Sequence, residues 1–296
     1  MTFLEELYHD QTLTSLGQLF WFTVDPRPLP QSEWIQAITQ ANLAAYGLPQ
    51  GITPTTAYRR AFLNLRMAAR KQHIASLIRL VDQDKTTTTH HWIRETRTSG
   101  HIVFTAVGEF IRNKSSDTVS ITPLDSLSSP ESQLLATFPD LMDFARQHYT
   151  SGDRRRQILH WLSTVDSLKM RHAGPVHFIP ADGSGLIDQL ITHQNSLGIQ
   201  AWRIPLPPSG DAMDTVLDSL EHQIRTQTAT MLQTLHKAQD QGHDLSVAQQ
   251  KALLVKFHAI QDRVTHYTQI FQNGSDAIQA HLSVLQDNIA NLFALI

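Results

Sequence analysis

From Ala212 to Ile296 apolar residues recur at alternating spacings of three and four. That period places them along one stripe of a helix and makes this stretch a set of helices packed on helices. Leu217, Ile224, Met231 and Ala238 stand seven apart, supported by Met213, Leu220 and Leu235. A second seam runs through Leu253, Phe257, Ile260, Val264, Tyr267 and Phe271, a third through Ile278, Leu282, Leu285, Ile289, Leu292 and Ile296. Gly242-His243-Asp244 and Asn273-Gly274-Ser275-Asp276 break the pattern between them. Short connections favour antiparallel neighbours, so residues 211–296 are expected to form a three-helix, coiled-coil-like module. Its last seam is apolar to the final residue and is expected to dock, either on its own chain or on a partner subunit. Leu282, Leu285, Ile289, Leu292 and Ile296 are therefore the candidate protein interface.

Upstream the period changes repeatedly, and the fold class expected is α+β. Residues 1–122 read as a mixed helical region with a β-hairpin, and residues 131–208 as a small α/β region. A short apolar helix is expected within residues 1–23, and an extended break at Pro26, Pro28 and Pro30. Ser32 opens a capped helix towards Gly47, and Thr53-Pro54 caps a longer one running to about Val81. Trp92 to Arg97, the turn Ser99-Gly100 and His101 to Ile111 read as a hairpin, with a further strand near Thr118–Ile121 and a bulge or bend at Gly108. Residues 122–131 look like a linker, followed by helices at about 131–149 and 153–171. A strand at 176–179, a helix at 185–197 and a strand at 199–206 make one strand–helix–strand unit. A doubly wound nucleotide fold needs several.

The net charge of −3 conceals an asymmetry. Residues 51–116 hold eleven Lys or Arg against four acids, whereas residues 1–50 and 211–296 each sum to −4. A polyanion would meet the basic segment. Arg59, Arg66 and Arg70 fall on one side of the long helix. The hairpin adds Arg94 and Arg97, with Trp92 and Phe104 as stacking platforms for single-stranded bases. These residues, Phe104 aside, are the candidate nucleic-acid contacts. Arg154-Arg155-Arg156 forms a second basic cluster at a helix N-terminus, where cations are electrostatically misplaced.

Chemistry-bearing motifs are scarce. With no cysteine, the chain has no disulfide, thiolate metal site or cysteine nucleophile. There is no Gly-x-Ser-x-Gly, Ser-x-x-Lys or His-Glu-x-x-His run, and sixteen histidines show no metal-binding spacing. Asp182-Gly183-Ser184-Gly185 lies between a strand and a helix, where glycines let backbone N–H groups face an anion. It lacks the glycine spacing of a nucleotide loop, and Asp182 or Ser184 is expected to act as an N-cap. No catalytic residue, cofactor or metal is assigned. No stretch approaches the length of a membrane span, and no secretory signal opens the chain, so a cytoplasmic protein is expected. The function expected is non-catalytic interaction or assembly through the C-terminal helices, by self-association or with a protein partner. The alternative is nucleic-acid binding through residues 51–116.

Overall fold

In Gly17–Val24 the order Gly-Gln-Leu-Phe-Trp-Phe-Thr-Val puts apolar side chains on both sides of an extended backbone, as a central strand requires. A computed structural model describes residues 15–98, 100–170, 174–240 and 246–271, and there this segment is strand β1. Phe20 and Phe22 are buried on one side, while Leu19 and Trp21 are half-buried on the other. The helix expected within residues 1–23 is thus corrected to strand from Gly17 onward. A short apolar run carries no period that separates the two, and the pairing partners lie far downstream.

The described residues fall into two compact units whose segments interleave along the chain. The first takes residues up to Pro26, Gln36–Leu48 and Asp153 onward; the second takes Arg27–Ile35 and Pro49–Gly152. Helix α1 (Gln31–Gln40) spans the change from one to the other.

In the second unit, helix α2 (Pro54–Lys71) starts on the Thr53 side chain, which accepts from the Thr56 N–H. It ends ten residues short of Val81. His73 takes φ +58°, its N–H reaches the Arg70 carbonyl at 3.0 Å, and the Ile74 N–H reaches the Ala69 carbonyl at 2.9 Å. These two bonds close the helix in a Schellman turn. Ile74, Leu77, Ile78 and Val81 fit a helical spacing on paper. The structure instead puts Ser76–Gln83 in strand β3, because β4 (Thr87–Thr98) supplies a partner. The expected hairpin is β4 with β5 (His101–Asn113), and Gly100 takes φ +84° in its turn. The bulge falls where Trp92 opposes Gly108 while Ile93 opposes Ala106. With β6 (Val119–Pro123) the four strands form an antiparallel meander, β3-β4-β5-β6. The helix expected at 131–149 is two helices, α3 (Ser129–Ala136) and α4 (Phe138–Gln147). Pro139 sits in the first turn of α4. Helices α2–α4 cover one face of the sheet over a core of Tyr58, Phe62, Leu65, Trp92, Phe110 and Phe138. The short strands β2 (Leu29–Pro30) and β7 (His148–Tyr149) also pair in this unit.

In the first unit, helix α5 (Ser151–Thr164) stops well before residue 171, since Asp166 takes φ +50° and Leu168–Lys169 is strand β8. Strand β9 (His177–Pro180) passes through a 3-10 turn, Ala181–Gly183, into α6 (Ser184–Thr192), which leads to β10 (Ile199–Leu206). Both β9 and β10 pair antiparallel with β1, giving the order β10-β1-β9-β8. The expected strand–helix–strand unit is present, but β1 lies between its two strands.

Helices α7 (Gly210–Asp240) and α8 (Val247–Ile270) follow. Leu217, Leu220, Ile224 and Met231 of α7 share one buried cluster with Leu253, Phe257, Ile260, Val264 and Tyr267 of α8 and with Phe271, its C-cap. The cluster continues onto Leu16, Leu168 and Phe178. Leu217, Leu220, Ile224 and Met231 of the first expected seam and all six residues of the second are therefore buried, with Met213 packed half-buried against them. Ser246 and Gln249 form the capping box that starts α8. The third seam, with Leu282, Leu285, Ile289, Leu292 and Ile296, lies outside the described residues. Among the described residues the architecture is α+β: an N-terminal mixed β/α region, a small α/β middle region and a C-terminal module of two helices without strands. Among the described residues no helix is long and apolar enough to cross a membrane.

Candidate functional site

Helix α2 buries Ala57, Tyr58, Ala61, Phe62, Leu65 and Ala69 against the sheet, which turns the intervening positions outward. Arg59, Arg66 and Arg70 are exposed there, on a helix that contains no Asp or Glu. At 100° per residue they lie within about 40° of one another and span about 16 Å of helix. None of the three makes an ion pair among the described residues. Leu63 and Met67, 58% and 55% exposed, stand beside them. Burial in the first place, and the positive charge of Arg59 in the second, hold His90 below the ordinary histidine range.

The hairpin residues do not join this stripe. Trp92 is 1% exposed and fills the core beneath α2, so its ring offers no face to a base. Arg94 shares its sheet face. The Arg94 Nε donates to Glu131 Oε1 at 2.7 Å and Nη2 donates to Oε2 at 2.6 Å, with a further bond to the Ser126 carbonyl. Arg97 is exposed but three residues further on, which puts it on the opposite sheet face. Phe104, opposite Glu95, lies on that same far face, with the Arg79 guanidinium 5.5 Å from its ring centre. Arg112 is inside: it bonds Asp117 Oδ1 at 2.9 Å and Thr55 Oγ1 at 3.0 Å. Of the six candidate contacts, the fold gathers Arg59, Arg66 and Arg70, buries Trp92, neutralises Arg94 and sets Arg97 apart.

In the first unit the misplaced charge of Arg154 has an internal use. It is 1% exposed and donates to the carbonyls of Asp25 (2.6 Å), Leu197 (3.3 Å) and Gly198 (3.2 Å). His266 of α8 sits between two carboxylates, with Nδ1 2.9 Å from Asp166 Oδ2 and Nε2 2.9 Å from Asp182 Oδ2. An Asp–His pair can serve a nucleophile only through a free ring nitrogen, and here both are engaged. The trio works as a strut, joined by Tyr267, whose hydroxyl donates to the Asp166 carbonyl at 2.8 Å. Among the described residues no three His, Asp or Glu side chains are grouped to hold a metal ion.

A cavity of about 360 Å³ opens beside the turn that starts α6, lined by Ser15, Gly17, Gln18, Ala181, Ser184, Arg203 and Pro205. Neither Asp182 nor Ser184 caps the helix as the sequence suggests. Gly183 occupies the N-cap position, and no side chain bonds the first turn of either α6 or the 3-10 turn before it. Gln18 and Arg203 escaped the sequence reading. The one available signal was a glutamine inside the apolar run Leu16–Phe22.

The described residues define a protein of α+β class with a cationic helix face free of ion pairs and a cavity at a strand-to-helix turn. Residues 15–295 match the model of a family described as a family of unknown function (DUF6744), and the chain belongs to that family. No curated protein and no solved structure matches it.

Proposed function

We propose that this protein is a non-catalytic, cytoplasmic binding protein that contacts nucleic acid through the outer face of α2. The observation that carries this reading is the stripe of Arg59, Arg66 and Arg70, exposed and without ion pairs on an acid-free helix. Exposed cations usually stand near acids that balance them; three left unbalanced on one line match the regular charge of a phosphate backbone. The contact is electrostatic and carries no base readout by itself.

Fluorescence anisotropy with single- and double-stranded probes tests this. Three phosphate contacts on duplex give a log–log salt slope of about −2.7. The triple variant R59A/R66A/R70A loses most of the binding, and R97A keeps it. No binding at micromolar protein in low salt, or undiminished binding by the triple variant, rules the reading out.

A second reading, assembly with a protein partner through the helical module, is favoured by α8. Val247 (81% exposed), Leu254 (36%) and Val255 (62%) lie on its side turned from the buried seam. The interface expected from the sequence, Leu282 to Ile296, lies outside the described residues. Light scattering of the full chain and of V247E/V255E separates the outcomes: the variant reduces any association, or this face is not the interface.

A further inference from the structure

We propose that the cavity beside the turn into α6 is a binding site for a phosphate group, free or terminal on a small phosphomonoester. The site lies wholly in the first unit and is independent of the α2 stripe.

Two separate observations meet there. The first is the backbone. The 3-10 turn Ala181–Gly183 runs directly into α6, so the N–H groups of Ala181, Asp182 and Gly183 begin a helical segment with no preceding carbonyl to bond. No side chain caps them. Unpaired N–H groups at a helix start, reinforced by the helix dipole, attract anions. The second observation is Gln18. Its residue is only 7% exposed, and its side-chain amide lines the cavity without a hydrogen bond among the described residues. Neither amide atom is sealed from solvent, so both face the cavity and can exchange water for a ligand.

The remaining lining fits the same ligand. Ser184 contributes a hydroxyl with no described partner. Arg203, opposite Phe20 on β10, adds guanidinium N–H donors to the wall, its charge balanced by an ion pair with Asp188. Gly17 keeps the floor tight: a Cβ there would lie 2.2 Å from the Ile179 carbonyl oxygen, so β1 and β9 approach closely just below the turn. Gly185 has open space where a Cβ would project.

Two carboxylates argue against an anion: Asp188, which is taken up by Arg203, and Asp182 in the first turn. The Asp182 carboxylate is engaged by His266, with Oδ2 2.9 Å from Nε2. The His266 strut therefore draws the turn's own negative charge away to α8. The Ala181 N–H, with the amide, hydroxyl and guanidinium of the lining, offers more donors than the two oxygens of a carboxylate can accept. A phosphate's three terminal oxygens can use them.

The test uses the full chain and inorganic phosphate, followed in ¹H–¹⁵N spectra. The amides of Ala181, Asp182, Gly183 and Ser184 and the side-chain amide of Gln18 are expected to shift together along one saturable curve. Glycerol 3-phosphate should bind as tightly or more tightly if a phosphomonoester is the natural ligand, and less tightly if the site takes the free ion. The Q18L variant should weaken binding by about tenfold, the loss of one good hydrogen bond to a charged group. Should Q18L fail to fold, S184A and R203Q carry the same expectation from the rim of the site. The R59A/R66A/R70A variant should keep these shifts unchanged, which separates this site from the α2 stripe. Amides that stay still up to tens of millimolar phosphate, or acetate binding as well as phosphate, would overturn the proposal.

Discussion

Arg94 and Glu131 face each other edge to edge, with Nε 2.7 Å from Oε1 and Nη2 2.6 Å from Oε2. The pair ties β4 to the first turn of α3. Glu131 also accepts from the N–H and hydroxyl of Ser128, so one carboxylate caps a helix and anchors it to the sheet. The Arg94 bond first, then the Ser128 bonds, hold the Glu131 carboxyl down at about 2, against an ordinary 4.5, despite the opposing effect of burial.

Acid should therefore loosen this corner. The carboxyl is bound more tightly when ionised, so its stabilisation is complete above pH 4.5 and is lost as the pH falls towards 2. E131Q should remove that dependence and lower stability at neutral pH by about 2 kcal/mol, because Arg94 loses its partner. Denaturant unfolding at several pH values measures both effects. An E131Q midpoint equal to wild type at pH 7 would show that the pair contributes nothing.

His177 also weakens the first unit in acid, from a different cause. Burial chiefly, and then the charges of Lys169 and Arg155, push it from 6.5 down to about 4. The neutral form is the folded form, so stability is full above pH 6.5 and declines as the pH falls from 6.5 towards 4. H177F should flatten that decline. An unchanged slope between those pH values would refute the assignment.

Substitution of Trp92 separates core from surface. W92A should cost about 3–5 kcal/mol through the cavity it leaves. R59A, R66A and R70A should each stay within about 0.5 kcal/mol of wild type, being solvent-exposed and unpaired. Thermal unfolding of the four variants gives the answer. A stable W92A would contradict the buried position of the ring.

Ile260 lies in the middle of the seam between α7 and α8, 3% exposed. I260D places an unpaired carboxylate in that seam and should destabilise the module by several kcal/mol. Loss of helical circular dichroism at a lower temperature than wild type is the expected result. G17A should be as severe for the sheet, since its Cβ meets the Ile179 carbonyl oxygen at 2.2 Å and backbone cannot yield there cheaply.

Local periodicity was enough to read the elements whose burial repeats within a few residues. The seams from Leu217 to Met231 and from Leu253 to Phe271 are such elements, as is the β4–β5 hairpin with its Gly100 turn. Capping chemistry at Thr53 was legible for the same reason: the bond closes within three residues. Tertiary structure decided everything that depends on distant partners. Gly17–Val24 became a strand because β9 and β10 flank it, and the stretch after Lys71 because β4 pairs with it. The sheet then sorted the basic residues, turning Arg94 inward to Glu131 and Arg97 to the far face, while leaving Arg59, Arg66 and Arg70 in line. The cavity at the α6 turn was not legible at all. Its Gln18 and Ser184 are separated by most of the chain, and only strand pairing, whose energy comes from long-range contacts, brings them to one wall.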